Sequence, residues 1–347
     1  MRLTFRACAV CFTLGVVSSL TLIFMQIIWR HLAIRGQDRH FVAEIRMPTT
    51  GVLKILQISD TQICVTQDPC RDLTPSQKMW PCNGRNTTAF IQRLLAEERP
   101  DLVIYTGDNV YGSKGEAQSR RVLAEVLEPV QAANISFALV LGNHDVETWS
   151  MSVSGMHDFV REMGALVSGN GVIHVTESNA TRAHIHLFDY MHEFCVFCSD
   201  GSHVKRGRGG PYNPVTEKQI RVFEQVANAN VTSVAFAHLP LLEFQHGDGH
   251  RVGSQHEGVF YGQTTRLHGA LRAKKVRVFS VGHDHINDYC TNQSGVHLCY
   301  AGGSGYTTYG LPGWPRRARV FILSREHVQT YKRLDDAGMS VIDHQEF

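Results

Sequence analysis

Five short apolar runs in this chain each break off on a side chain that binds metals or hydrogen-bonds strongly, and that pattern restricts the fold more than any other feature. Leu53 to Ser59 runs into Asp60-Thr61-Gln62, Leu102 to Thr106 into Gly107-Asp108-Asn109, and Ile135 to Leu141 into Gly142-Asn143-His144-Asp145. Val231 to Ala237 ends on His238, and Val276 to Val281 on Gly282-His283-Asp284-His285. The runs are almost continuously apolar, as strands are when both faces of their sheet are covered. Helical periodicity lies between them. Asn86 to Glu98 puts Phe90, Ile91, Leu94 and Leu95 on one face with Pro100 as a stop, and a second helix is expected over about Glu116 to Leu127. Thr216 and Gln219 carry the capping-box pattern of a third, ending near Ala229. This alternation implies an α/β fold, and in open α/β sheets ligands collect outside the carboxyl ends of the strands. A Gly-Asp pair alone is usually a turn, and a lone His usually a satisfied polar residue. Five such endings in chain order are difficult to assign to structure alone.

The mixture suits a pair of cations. One carboxylate can bridge two ions while imidazoles, an amide oxygen and a second carboxylate complete each shell without cancelling all their charge. Two ions roughly 3.5 to 4 Å apart clamp an in-line displacement at phosphorus and acidify a bound water into the nucleophile. The chain also holds 19 His, the commonest metal ligand. Its net charge of +2 provides no field for nucleic acid, and no nucleic-acid partner is expected.

From about Leu53 to Leu334 the sequence resembles the calcineurin-like metallophosphoesterases, and among them the Dcr2-like and purple-acid-phosphatase-like phosphatases. The residues that carry the likeness are Gly107-Asp108, Gly142-Asn143-His144-Asp145, the run from Gly282 through His283, Asp284 and His285 to Cys290, and the run from Leu298 to Gly305. The resemblance implies a four-layer α/β/β/α sandwich with two central mixed β-sheets. It implies that Asp60 and His285 bind a first metal, that Asp108 bridges, and that Asn143, His238 and His283 bind a second. His144 would act on the phosphate as general acid, with Asp145 orienting it. Most of the superfamily has Asp-x-His where this chain has Gln62, a poorer ligand. Gly107-Asp108-Asn109-Val110-Tyr111 looks like the Gly-Asp-x-x-Tyr motif of purple acid phosphatases, in which the tyrosine takes the vacated seat. Tyr111 is therefore expected on the first metal, with Fe(III) there and Fe(II), Zn or Mn beside it. Phosphomonoester hydrolysis is the leading function. Phosphodiester hydrolysis on the same site is the nearest rival, because the loops that would decide between them, Glu147 to Pro214 and Glu243 to Gly262, show no readable period. A glycoprotein that binds phosphoesters without hydrolysing them is the rival from another class.

Ala7 to Trp29 contains no charged side chain and is longer than a bilayer core requires, so it reads as one membrane-spanning anchor, with a cleaved signal peptide as the rival. The expected division is a tail over 1–6, the anchor over 7–29, a polar linker over 30–50 and a phosphoesterase domain over 51–347. Arginines after Trp29 favour a cytosolic domain. Against that stand five N-x-Ser/Thr sequons, at Asn86, Asn134, Asn179, Asn230 and Asn292, and seven cysteines outside the anchor. Cys70 with Cys82 and Cys290 with Cys299 are plausible local disulfides. A lumenal or extracellular domain on a single-pass anchor, acting on a phosphorylated small molecule or protein, is the expectation.

Overall fold

The computed structural model of the chain describes residues 40–64, 69–75, 77–79, 81–111, 115–147, 151–190, 215–262 and 266–347. The expected anchor at 7–29, the tail before it and Cys195 and Cys198 lie outside the described residues. Among the described residues no helix is long and apolar enough to cross a membrane. Strands are numbered along the chain. One sheet has seven, in spatial order β17 (Val341–Glu346), β16 (Val328–Leu334), β15 (Arg317–Leu323), β2 (Leu53–Ile58), β4 (Leu102–Thr106), β6 (Ser136–Val140) and β7 (Val167–Ser168). The other has eight: β1 (Phe41–Arg46), β8 (Gly171–Glu177), β9 (Ala180–Leu187), β10 (Thr232–Phe236), β12 (Val278–Val281), β14 (Val296–Tyr300), β13 (Cys290–Gln293) and β11 (Arg251–Val252). Both are mixed: β2, β4 and β6 run parallel while β15 is antiparallel to β2, and β9, β10 and β12 run parallel while β8 and β9 form a hairpin. A two-stranded ladder pairs β3 (Ile63–Cys64) with β5 (Val110–Tyr111).

The sheets lie face to face. Ile55, Ile104 and Val140 of one share a buried cluster with Ile185, Val234 and Val278 of the other, and Phe236 meets Phe321 edge-on at 5.5 Å. Alternate residues point away from that core. Leu56, Ile58, Val103 and Tyr105 pack beneath α1 (Arg85–Glu98) and α2 (Glu116–Ala132), and Ala235 and Phe279 share the same kind of packing with Phe223 of α5 (Glu217–Val226) and Leu271 of α6 (Leu267–Ala273). A buried side chain of this size contributes about 1.5–3 kcal/mol, so the double-sided apolar runs are what holds four layers together. Two shorter helices, α3 (Asn143–Glu147) and α4 (Val153–Glu162), follow β6.

Three expectations shift. The linker read to residue 50 is not all linker, because Phe41–Arg46 pairs in parallel with β8; its alternating burial, one face in and one out, is an edge strand's pattern that a polar reading missed. The second helix runs past Pro129 to Ala132, held by the buried Val126 and Val130 on its inner face. The stretch without readable period contains α4 and β7 to β9. The capping box is present, with Thr216 and Gln219 bonded reciprocally, although α5 ends at Val226. Cys70–Cys82 and Cys290–Cys299 are disulfide-bonded.

Candidate metal centre

β2, β4 and β6 of the seven-stranded sheet and β10 and β12 of the eight-stranded sheet each deliver a donor within four residues of the strand's end. The turns that do so force left-handed backbone: φ is 55° at Asp60, 52° at Asp108 and 73° at His283. Such conformations cost a non-glycine residue free energy and persist where the surroundings over-determine them. Gly142 is required by the same crowding, since a Cβ there would overlap the Asp108 carboxylate.

Two groups of donors result. Asp108, His238 and His283 form one, and Asp60, Asp108 and His285 the other; within each the donor atoms lie within 4.8 Å of one another, and Asp108 belongs to both. Asn143 joins the first, with Oδ1 3.1 Å from His238 Nε2. Gln62, buried, joins the second, with Nε2 2.9 Å from Asp108 Oδ2 and 3.3 Å from His285 Nε2.

The hydrogen bonds behind these donors fit the set to cations. His238 Nδ1 lies 2.8 Å from the Thr106 carbonyl, which can only accept, so Nδ1 carries the proton and Nε2 keeps a lone pair. That lone pair faces Asp108 Oδ1 at 3.3 Å and Asn143 Oδ1 at 3.1 Å. His285 Nδ1 lies 3.2 Å from the Tyr309 carbonyl, which leaves Nε2 as an acceptor 3.5 Å from Asp60 Oδ1. Buried acceptors that face one another repel, and a positive ion between them converts the repulsion into coordination. Backing of the far ring nitrogen by a carbonyl is how metal-ligating histidines are oriented.

The charges agree. Burial acts to raise Asp108, but His238, His144 and His283 outweigh it and hold the carboxyl at about 2. Asp60 is pushed well up, by burial and then by the charge of Asp108. Burial, with repulsion from His238, drives His283 far below its ordinary value, and burial takes His285 down to about 3. The imidazoles are therefore neutral at pH 7, the state in which they bind metals.

His144 stands beside this core. Its backbone N–H donates to Asp108 Oδ1 at 2.8 Å, its ring Nε2 is 3.9 Å from Asp108 Oδ2, and its side chain is 28% exposed, so it reaches both the centre and solvent. Asp145 has a different place from the one expected. Its two oxygens accept from the backbone N–H of Asn109, Val110 and Gly142 and from the Asn109 side chain, at 2.8–3.0 Å, and none of these donors is His144. It clamps the loop after β4 to the loop after β6, and burial with repulsion from Asp108 pushes its carboxyl up to about 7.

Tyr111 is not brought into the cluster. It is 47% exposed and stands edge-on to the His144 ring at 5.0 Å. The reason is strand alternation: Val110 takes the inward position of β5, so its neighbour faces out. Gln62 occupies the space between Asp108 and His285 instead. Sequence reasoning missed Thr308 and Tyr309, which bond His285 Nδ1 and, in the case of Tyr309, stack on its ring at 4.0 Å. They lie in a loop without period, and no spacing signals them. Of the sequons, Asn134 and Asn230 are exposed just before β6 and β10, at the strand ends far from the centre; Asn179 is exposed in the β8–β9 turn, while Asn86 and Asn292 are partly buried.

Comparison with known proteins agrees with this geometry. The chain is 30% identical over 343 residues, 87% of each chain, to a protein of Arabidopsis thaliana named probable inactive purple acid phosphatase 29. It is 28% identical over 339 residues to phosphatase DCR2 of Saccharomyces cerevisiae, covering 85% of this chain and 56% of that one. Among solved structures, a dimetal phosphatase from Danio rerio shares the fold, with a TM-score of 0.56 at 16% identity over 85% of this chain and 98% of that one. The sequence profile of the calcineurin-like phosphoesterases matches residues 53–287, a span that contains all the strand ends carrying the two donor groups, and the chain belongs to that family.

Proposed function

We propose that this metal-dependent phosphoesterase hydrolyses phosphomonoesters. The observation that carries the reading is one carboxylate, Asp108, common to two buried donor groups with a half-exposed imidazole, His144, beside it. Cations held there supply Lewis acidity and an acidified water. The chain's own residues do the rest. Thr106 and Tyr309 fix the ring orientation of His238 and His285. Asp145 keeps the Asp108 and Asn143 loops in register. His144, open to solvent on one side, is positioned to hand a proton to the leaving oxygen, a role worth about 10²–10⁴-fold in rate.

Relatives whose names include "inactive" motivate a second reading, a binder of phosphoesters that does not turn them over. In this chain Gln62, in place of the superfamily's imidazole, is the feature that favours it. Metal analysis combined with turnover of an aryl phosphate and an aryl phosphodiester separates the readings. About two ions per chain with faster monoester turnover supports the first, and two ions with no turnover of either supports the second. Faster diester turnover replaces the monoesterase reading.

The two disulfides favour an oxidising compartment, and in this reading the uncharged stretch from Ala7 to Trp29 attaches the domain to a membrane on its lumenal or extracellular side. Glycan mapping by mass spectrometry tests this: sugars are expected at Asn134 and Asn230, and none at any sequon overturns the orientation.

A further inference from the structure

The candidate centre uses four of the histidines, and four others gather elsewhere, on the helix-covered face of the eight-stranded sheet near its β1 edge. His174 on β8 lies directly opposite His184 on β9 in antiparallel register. His186 follows two residues on, so it shares a face of the strand with His184. Ring centroids are 4.8 Å apart for His174 and His184 and 5.5 Å for His184 and His186. His40, one residue before β1, is near enough to His174 and His186 for their charges to repel. Intervening residues Ile173 and Ile185 face the other way, into the core between the sheets.

These rings are buried in an unusual manner. His184 and His186 are only 4% and 1% exposed. Nevertheless Nδ1 of His174, Nδ1 of His184, Nε2 of His186 and Nε2 of His40 are all buried without a hydrogen-bond partner. Buried polar atoms are ordinarily paired, and each exception needs a reason. Four exceptions on one patch have one reason in common if they share a ligand.

We propose that His174, His184 and His186, with His40 as fourth donor, bind one divalent first-row transition ion of the imidazole-preferring class, zinc, copper or nickel. Two imidazoles at alternate positions of one strand and a third directly across from them stand on the same side of the pleat, and three or four nitrogens around an open position is a common coordination for such ions. Burial holds His186 far below its ordinary value and His184 at about 4, so the nitrogens are unprotonated at pH 7 and binding releases few protons. The rings now meet edge to face; aiming them at one point breaks no hydrogen bond, because the buried nitrogens hold none. Glu44, exposed on β1 and paired in register with His174, places a negative charge at the rim. An ion there ties β1 to the β8–β9 hairpin.

The test must separate this ion from those of the phosphoesterase centre. Full-length protein and the double variant His174→Gln/His184→Gln are loaded with zinc, dialysed and assayed for metal, with circular dichroism and melting of the metal-free forms as the control for folding. The expected result is about one zinc ion fewer per chain in the variant, with equal aryl phosphate turnover. Equal zinc content in two folded proteins overturns the proposal. Should the double variant not fold, cobalt substitution decides with His174→Gln alone, the half-buried member: a changed visible cobalt spectrum is expected, and a spectrum identical to wild type overturns the site.

Discussion

The side-chain amide of Gln62 lies 2.9 Å from Asp108 Oδ2, in the space where a metallophosphoesterase of the commoner pattern would place an imidazole. Tyr111 stands outside it. Gln62→Ala is therefore expected to weaken the ion on the Asp60 side by about 10–100-fold, while Tyr111→Phe leaves the content of both ions unchanged. Metal analysis after dialysis against a graded chelator measures both. Iron-loaded protein should likewise show no tyrosinate-to-iron colour that Tyr111→Phe removes.

Asp108 and His144 should differ in kind. Asp108→Asn removes the carboxylate common to both donor groups, and metal retention and turnover are expected to fall together. His144→Ala should keep the metal content of wild type and lose about 10²–10⁴-fold in kcat. Parallel metal analysis and steady-state kinetics check the pair.

Asp145→Ala leaves four donors, three of them backbone N–H groups, without their acceptor. An unsatisfied buried donor costs about 1–3 kcal/mol, so denaturant unfolding should show a loss of at least that size. Turnover should fall too, because the loops bearing Asp108 and Asn143 lose their common anchor. Wild-type stability with reduced kcat would instead indicate direct action on His144.

Asp288 joins the two sheets through charge. Its carboxylate, buried in the turn after β12, lies 2.6 Å from Arg317 Nη1 on β15 and 2.7 Å from Lys332 Nζ on β16. Removing one partner of a buried pair costs about 3–5 kcal/mol. Asp288→Asn is expected to lower the denaturation midpoint accordingly, without direct effect on the metal donors.

Burial holds His184 and His297 at about 4, against an ordinary 6.5. The unfolded chain thus takes up protons between those values and the folded chain does not. Stability should be fully present above about pH 6.5 and decline as pH falls towards 4, levelling below that. Melting temperatures of metal-free protein across pH 4 to 8 give the curve, and His297→Phe should flatten it.

How much of this was legible in the sequence follows from which residues face what. β2, β4, β6, β10 and β12 have both faces covered by apolar partners, so their runs are uninterrupted and their ends unmistakable. The donors Asp60, Asp108, Asn143, His238, His283 and His285 came from those ends. β15 and β16 are equally buried but carry Arg317, Arg319 and Lys332, whose charges are neutralised or hydrogen-bonded only in the fold; alone they read as surface. The β8–β9 hairpin hides for a similar reason, with histidines at core positions. Tyr111 and Asp145 were misplaced because motif spacing gives a residue's position along the chain, whereas strand alternation and backbone donors decide where its side chain goes.

The two donor groups draw on both sheets, and this has a consequence for biogenesis. Asp60, Asp108 and Asn143 are made and folded with the first half of the chain, but His238, His283 and His285 arrive only with the second. Neither group is complete until the later sheet has docked. Metal acquisition is thereby ordered after assembly of the whole sandwich, and a truncated or half-folded chain holds no finished centre with which to sequester an ion.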